Sequence, residues 1–237
     1  MFNLIGLGLN LNNLSKEAVS IVKKADKIYL ESYTIDFPYT FEELEKSLGK
    51  KIIKLAREPV EEEKFVEEAK NKNIVLLVYG SPLMATTHIS LLLKCKKEKI
   101  NYQILNNASV FDAVAETGLQ FYKFGKTASL PSWKDKGKSL SFTEIILNNI
   151  SIHAHTLILV DMNLHLKEAL EELEEAFKEK KIKYDKIVVC SRLGTEKSKI
   201  IYGKIEELKK QKLELPICFI LPSKLHFLEE EALMSEE

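Results

Sequence analysis

The sequence predicts a two-domain α/β protein, and three observations carry that expectation. In the first half, short apolar runs rich in Val, Ile and Leu alternate with segments whose apolar residues recur every three or four positions. Parallel strands joined by crossover helices produce this alternation. One run, Val75-Leu76-Leu77-Val78-Tyr79, stops at Gly80-Ser81-Pro82, and a helical pattern follows at once. A parallel strand delivers a ligand-binding loop at the carboxyl edge of its sheet in this way. Finally, a strand ends at Asn106-Asn107 before a new helix, and the pattern changes beyond it, which sets domains at 1–107 and 108–237.

The elements follow in order. Residues 2–7 read as a strand and 8–14 as the loop after it. Ser15 can cap a helix carrying Ala18, Ile21, Val22 and Ala25 on one face. Residues 27–33 are a strand, 41–48 a short helix closed by Gly49, and 52–55 a short strand. Residues 60–70, rich in Glu and Lys, read as a helix, and 74–79 as a buried strand. A helix over 86–97 turns Ile89, Leu92 and Leu93 inward, and 102–105 is a strand. Beyond the boundary, 110–116 is a short helix, 122–129 a strand, 131–141 an exposed loop and 142–150 a helix. Residues 156–161 form a strand, and Leu166, Leu170, Leu173 and Phe177 stripe a long charged helix. Residues 186–190 and 217–221 are strands with a helix over 205–210 between them, and the acidic end, 229–237, is expected to fray.

Composition narrows the function. Lys+Arg and Asp+Glu are both 35, so there is no basic excess of the kind a nucleic-acid footprint needs. No apolar run reaches the roughly 18 residues of a membrane helix. Residues 1–6 lack a basic region before their apolar part and read as a strand, not a signal peptide. Cys95, Cys190 and Cys218 are far apart and form no Cys-x-x-Cys pair, which fits a reducing cytoplasm.

Several strand ends carry polar turns. Gly6-Leu7-Gly8-Leu9-Asn10-Leu11 has two glycines of a dinucleotide fingerprint but Leu11 at the third position, which argues against a nicotinamide site. It remains a tight turn or a loop lining a cofactor cleft. Ser81, Thr86, Thr87 and His88 follow the buried strand, and one of the threonines is expected to cap the next helix. Asn107-Ala108-Ser109-Val110 is either a plain helix start or a donor of amides to an anion. His153 and His155 offer two imidazoles without a third ligand nearby, so no metal site is expected. Asp161 ends a strand and can be a polar contact or a cap. Arg192-Leu193-Gly194-Thr195 and Pro222-Ser223-Lys224-Leu225-His226 are again polar turns after apolar strands. Five strand ends with such turns, from two domains, are expected to converge on a cleft between the domains.

Taken together, the motifs resemble the diphthine synthase family over nearly the whole chain. The resemblance rests on Ile5-Gly6-Leu7-Gly8-Leu9, Leu30-Glu31-Ser32-Tyr33-Thr34, Arg57-Glu58, Pro82-Leu83-Met84-Ala85-Thr86-Thr87-His88, Ala108-Ser109-Val110, the run from Thr117 to Lys126, and Pro222-Ser223-Lys224-Leu225-His226. It implies two α/β domains of the tetrapyrrole-methylase-like fold, a homodimer, and S-adenosyl-L-methionine bound between the domains. Carried over by position, the cofactor contacts fall on Leu9, Ser81, Met84, Ser109, Val110, Val160, Leu193 and Ile217. The implied substrate is translation elongation factor 2 carrying an aminocarboxypropyl-modified histidine, whose amino group is methylated towards diphthamide. His88 and Glu31 are candidates for taking the amine proton; positioning alone is the alternative.

One residue departs from the family pattern. Ser81 stands where the family usually has Asp, which predicts weaker cofactor binding, because charge-assisted bonds are roughly twice as strong as neutral ones. Ser81 also keeps one alternative open, a binding protein of this fold that has lost turnover; a precorrin-type tetrapyrrole methyltransferase shares the fold, but the Thr86-Thr87-His88 and Lys224-Leu225-His226 motifs favour the diphthine synthase reading over it.

Overall fold

The computed structural model describes residues 1–235 and divides into two compact units, Met1–Asp112 and Ala113–Glu237. Each unit is α/β. The first contains β1 (Phe2–Gly6), α1 (Lys16–Lys24), β2 (Lys27–Glu31), α2 (Phe41–Leu48), β3 (Ile53–Leu55), α3 (Arg57–Glu62), β4 (Ile74–Val78), α4 (Ile89–Lys97) and β5 (Tyr102–Leu105). Its strands form one parallel sheet in the order β3-β2-β4-β1-β5. Successive strand residues face opposite sides, so β4 feeds two cores. Val75 and Leu77 pack with Ala18, Val22, Leu44 and Leu48 of α1 and α2. Ile74, Leu76 and Val78 pack with Val60, Val66, Leu91 and Cys95 on the other face. Strands buried on both faces read as continuous apolar runs, which is how β4 looks in the sequence.

Capping residues fix the helix starts. Ser15 Oγ accepts from Ala18 N at 3.1 Å. Thr40 and Glu43 form a reciprocal capping box ahead of α2, and Gly49 closes that helix at φ +62°. Two expectations change. The helix over 60–70 is broken at Glu63, which takes φ +58°; α3 lies before it and a 3-10 helix, Lys64–Lys70, after it. The phase of α4 is also one residue off: Ile89 and Leu93 are exposed, whereas Leu91, Leu92 and Cys95 are buried. In Ile89-Ser90-Leu91-Leu92-Leu93 both phases satisfy the period, and buried His88 and Cys95 select the second.

A one-turn helix α5 (Val110–Ala113) spans the division between the units. The second unit contains β6 (Ala128–Leu130), α6 (Trp133–Lys136), α7 (Ser141–Ser151), β7 (Thr156–Val160), α8 (Leu166–Lys180), β8 (Ile187–Ser191), β9 (Lys199–Gly203), α9 (Ile205–Leu208), β10 (Ile217–Leu221) and α10 (Phe227–Met234). Its sheet has the order β6-β7-β10-β8-β9. β6 runs parallel to β7, but β10 runs antiparallel to both β7 and β8. One face buries Leu166, Leu170, Leu173 and Phe177 of α8 against Ile158, Val189 and Phe219.

Here too the sequence expectations shift. The strand over 122–129 shrinks to β6, because Phe121–Lys123 is a 3-10 turn and only Phe124 bridges to His155. The loop over 131–141 contains α6, started by Ser132, whose hydroxyl accepts from Asp135 N at 3.4 Å. β9 is an edge strand that the sequence expectations omit. The acidic end is not loose: α10 is a helix with Glu229 and Leu233 fully buried, while Glu236 and Glu237 lie outside the described residues.

Candidate active site

In the first unit, β4, β1 and β5 are adjacent and parallel, so the loops leaving their carboxyl ends meet. Gly8 N donates to Gly80 O at 3.1 Å and Gly80 N to Gly8 O at 3.0 Å, tying two of these loops backbone to backbone. A Cβ on Gly6 would stand 2.5 Å from Gly80 O. Gly8 sits at φ +71°, and a Cβ there would stand 2.4 Å from Asn13 Cβ. Both positions therefore demand glycine. Asn13 Oδ1 accepts from Leu9 N and Asn10 N at 3.0 and 3.1 Å, and Tyr79 Oη donates to Leu9 O at 3.1 Å. The third loop joins through Asn107, whose Nδ2 donates to Gly6 O at 3.1 Å and Asn13 O at 2.9 Å. Ser109 opens α5; its N and Oγ both donate to Asp112 Oδ2, at 2.7 and 3.0 Å.

Leu9, Ser81, Ser109 and Val110 are thus brought to one sheet edge. Ser81 is buried, and its hydroxyl makes no hydrogen bond among the described residues. Met84 follows in the same turn, its N donating to Ser81 O at 3.1 Å, and its side chain is exposed. The turn is braced at Pro82 O, which accepts from Thr86 Oγ1 at 2.8 Å and from His88 Nδ1 at 3.0 Å. His88 is buried, which pushes its pKa down, and Nδ1 carries the proton it donates. No threonine side chain caps α4; His88 occupies the cap position without a capping bond. Ala85 is held at φ +54° inside this turn.

In the second unit, Val160, Leu193 and Ile217 also come to one edge. The register pairs Cys218 with Leu159 and Ile217 with Ser191, so the start of β10 lies beside the ends of β7 and β8. All three are buried. Arg192 takes φ +52°, a strained conformation for a residue with a Cβ. It is held by Arg192 N donating to Pro216 O and Nε donating to Leu215 O, both at 2.9 Å, and by an ion pair with Glu214. Glu116 fixes the far side of this loop, accepting from Gly194 N and Ser198 Oγ at 3.0 Å each. Asp161 accepts from Ser132 N at 3.2 Å and pairs with Lys136 at 2.6 Å, tying the β6 and β7 ends together.

The Pro222-Ser223-Lys224-Leu225-His226 turn does not join them. Because β10 is antiparallel to β7 and β8, its carboxyl end lies at the opposite edge, beside the start of β7. There Ser223 N donates to His155 Nδ1 at 2.8 Å, which leaves the proton on Nε2, donated to Glu229 Oε1 at 3.1 Å. Glu229 also accepts from Gln120 N at 2.9 Å, from His226 N at 2.7 Å and from Lys123 Nζ. Both nitrogens of His155 are engaged inside the fold. Among the described residues no group of three or more His, Cys, Asp or Glu is placed to hold a metal. Asn13, Tyr79, Glu116 and Glu229 are supports that the motifs did not single out; a side chain bracing a backbone group leaves no spacing signature.

Residues 1–209 match the model of the tetrapyrrole (corrin/porphyrin) methylases. Diphthine synthase of Methanocaldococcus jannaschii is 41% identical across 98% of this chain and 97% of the relative. That of Archaeoglobus fulgidus is 34% identical across 98% and 94%. A crystal structure of diphthine synthase superposes with a TM-score of 0.90 at 33% identity, covering 99% of this chain and 95% of the other. The chain belongs to the tetrapyrrole methylase family, among its diphthine synthases. It is accordingly a methyltransferase of diphthamide biosynthesis, and the precorrin-type alternative is not favoured.

Proposed function

We propose that the chain transfers methyl groups from S-adenosyl-L-methionine to the amino group of the aminocarboxypropyl-modified histidine of translation elongation factor 2. The full-length likeness to diphthine synthases is the observation that carries this. Leu9, Ser81, Met84, Ser109 and Val110 from the first unit, with Val160, Leu193 and Ile217 from the second, would hold the cofactor. The unpartnered Ser81 hydroxyl and the glycine-walled edge beside it fit a polar ligand that approaches backbone closely. When bound, the cofactor supplies a methyl that is already strongly electrophilic. What remains for the chain is to desolvate and align the amine and to hold its proton away from the nitrogen. His88 is poorly suited to that proton, since its burial disfavours the charged imidazolium and pushes its pKa down.

The family resemblance supports a homodimer. Three free cysteines, all buried, support a reducing cytoplasmic setting. No helix among the described residues is long and apolar enough to cross a membrane. Incubation with methyl-labelled S-adenosylmethionine and elongation factor 2 bearing the aminocarboxypropyl histidine tests the activity. Label on that histidine is the expected result; label absent from the factor overturns the proposal.

A further inference from the structure

Two motifs, Leu30-Glu31-Ser32-Tyr33-Thr34 and Arg57-Glu58, have no part in the edge formed by β1, β4 and β5. They follow β2 and β3, which are paired with Glu31 opposite Leu55, so their loops leave the sheet side by side. Ser32 locks them together, its N and Oγ both donating to Leu55 O, at 3.3 and 3.2 Å. The Arg57 guanidinium lies over the Tyr33 ring, 5.0 Å from its centroid. Glu31 is only 1% exposed. Its Oε2 accepts from Thr34 Oγ1 at 2.9 Å, but its buried Oε1 has no hydrogen-bond partner. A buried carboxylate oxygen without a donor is costly, so Glu31 Oε1 is open to a donor from outside the fold. Burial pushes the Glu31 pKa up, against bonds from the Thr34 side chain and from the Tyr33 and Thr34 backbone and against the Arg57 charge. Arg57 is largely exposed and meets Glu61 at only 3.5 Å, which leaves its planar fork available to a second carboxylate.

We propose that Glu31, Tyr33 and Arg57 form a subsite for the α-amino-acid end of a ligand, Glu31 taking its ammonium and Arg57 its carboxylate. Resting on the function proposed above, that end is the aminocarboxypropyl arm of the substrate histidine. The methyl donor also carries an α-amino-acid end. The strand order separates the two: the cofactor loops leave β4, β1 and β5, whereas this subsite lies on the β2–β3 flank, beginning at β4's neighbour. An exposed Thr34 covers the carboxylate, and the ligand ammonium takes the place of its hydroxyl. One ammonium proton passes to the Glu31 carboxylate. The nitrogen lone pair then forms the N–C bond to the methyl as the C–S bond breaks, its electrons staying on sulfur as a neutral thioether. The Glu31 proton leaves to water before the next transfer.

The test uses the full chain with Arg57→Gln, Glu31→Gln and the conservative Arg57→Lys, reading kcat and KM for the factor and, by calorimetry, the Kd for S-adenosylmethionine. Arg57→Gln is expected to raise KM for the factor about tenfold, with partial rescue in Arg57→Lys and an unchanged cofactor Kd. Glu31→Gln is expected to lower kcat about a hundredfold, and its residual rate to rise with pH as the amine loses its proton without help. A tenfold loss of cofactor affinity with KM for the factor unchanged would assign the subsite to the methyl donor and overturn the proposal. Wild-type kcat and KM in Arg57→Gln and Glu31→Gln overturn it as well. Arg57 is exposed, so its variants keep the test open should Glu31→Gln fail to fold. A wild-type chain that leaves the factor unlabelled sinks the functional proposal first; an active wild type with indifferent variants sinks this one alone.

Discussion

Replacing Glu229 by Ala should destabilise the second unit by about 3–5 kcal/mol. The residue is fully buried and accepts from His155, Gln120, His226 and Lys123. Its removal strands a partly buried ammonium and an imidazole together, and breaking one partner of a buried pair costs about that much. The pKa gives an independent magnitude. Burial pushes the Glu229 carboxyl up, but the bonds from His226 N, Lys123, Gln120 N and His155 outweigh it and bring it from 4.5 to about 2. A carboxylate depressed on folding contributes stability that is present above its unfolded value and lost as the pH falls through the folded one. A shift of that size corresponds to about 3 kcal/mol, lost between pH 4.5 and about 2. His155 acts in the same direction: burial lowers its pKa, so acidification below 6.5 favours the unfolded chain, which takes up the proton. Trp133 is the one tryptophan and lies in the second unit, so its fluorescence during urea unfolding reports that unit. The exposed neighbour Glu230→Ala is the control. A Glu229→Ala midpoint within about 0.5 kcal/mol of the control would falsify the claim that this cluster anchors α10.

Four further substitutions probe other parts. Leu91→Ala should cost about 2–5 kcal/mol and Leu93→Ala less than about 0.5 kcal/mol, since the first is fully buried and the second is exposed; equal losses in denaturant unfolding would contradict the assigned phase of α4. Ser81→Asp should tighten S-adenosylmethionine about fivefold to tenfold by adding a charge-assisted acceptor, and calorimetry showing no gain refutes this. Gly8→Ala should cost about 1–2 kcal/mol for its positive φ and also weaken the cofactor, because the new Cβ meets Asn13 and displaces the acceptor of Leu9 N; an unchanged Tm counts against it.

The parallel half of the fold is legible because burial on both faces writes itself as apolar runs, and helix starts as Ser15 and Thr40 caps. The β4 turn is legible for the same reason: an abrupt stop at Gly80-Ser81-Pro82 has few structural meanings. Strand direction is not legible. Nothing in Ile217-Cys218-Phe219-Ile220-Leu221 tells whether it runs with or against its neighbours, and that alone decides which edge receives Pro222 to His226. A motif of Lys and His after an apolar strand resembles a ligand turn, but its antiparallel strand makes it the anchor of α10 instead. Glu229 misleads by context: in an acidic tail a carboxylate reads as solvated, and only the distant Lys123 and His155 give it a buried role. Residues 60–70 mislead by composition, since Glu and Lys favour a helix while the left-handed Glu63 breaks it.

The apolar character of Leu9, Val110, Val160, Leu193 and Ile217 has a physical source in how their loops are held. At the first edge, two glycines bond each other's backbone, and Asn13 and Asn107 stitch the three loops with side-chain bonds to main-chain atoms. At the second, Arg192 and Glu116 do the equivalent work around Leu193. Loop shape therefore depends on the glycines, Asn13, Asn107, Arg192 and Glu116, whereas the side chains proposed to meet the cofactor would only need to pack. Affinity and stability should then separate by residue. Ser81→Ala, which removes only an unpartnered hydroxyl, should weaken the cofactor with Tm nearly constant, while Gly8→Ala should change both. If Ser81→Ala instead moved Tm by as much as Gly8→Ala does, Ser81 would belong to the scaffold of the turn and not to the ligand edge.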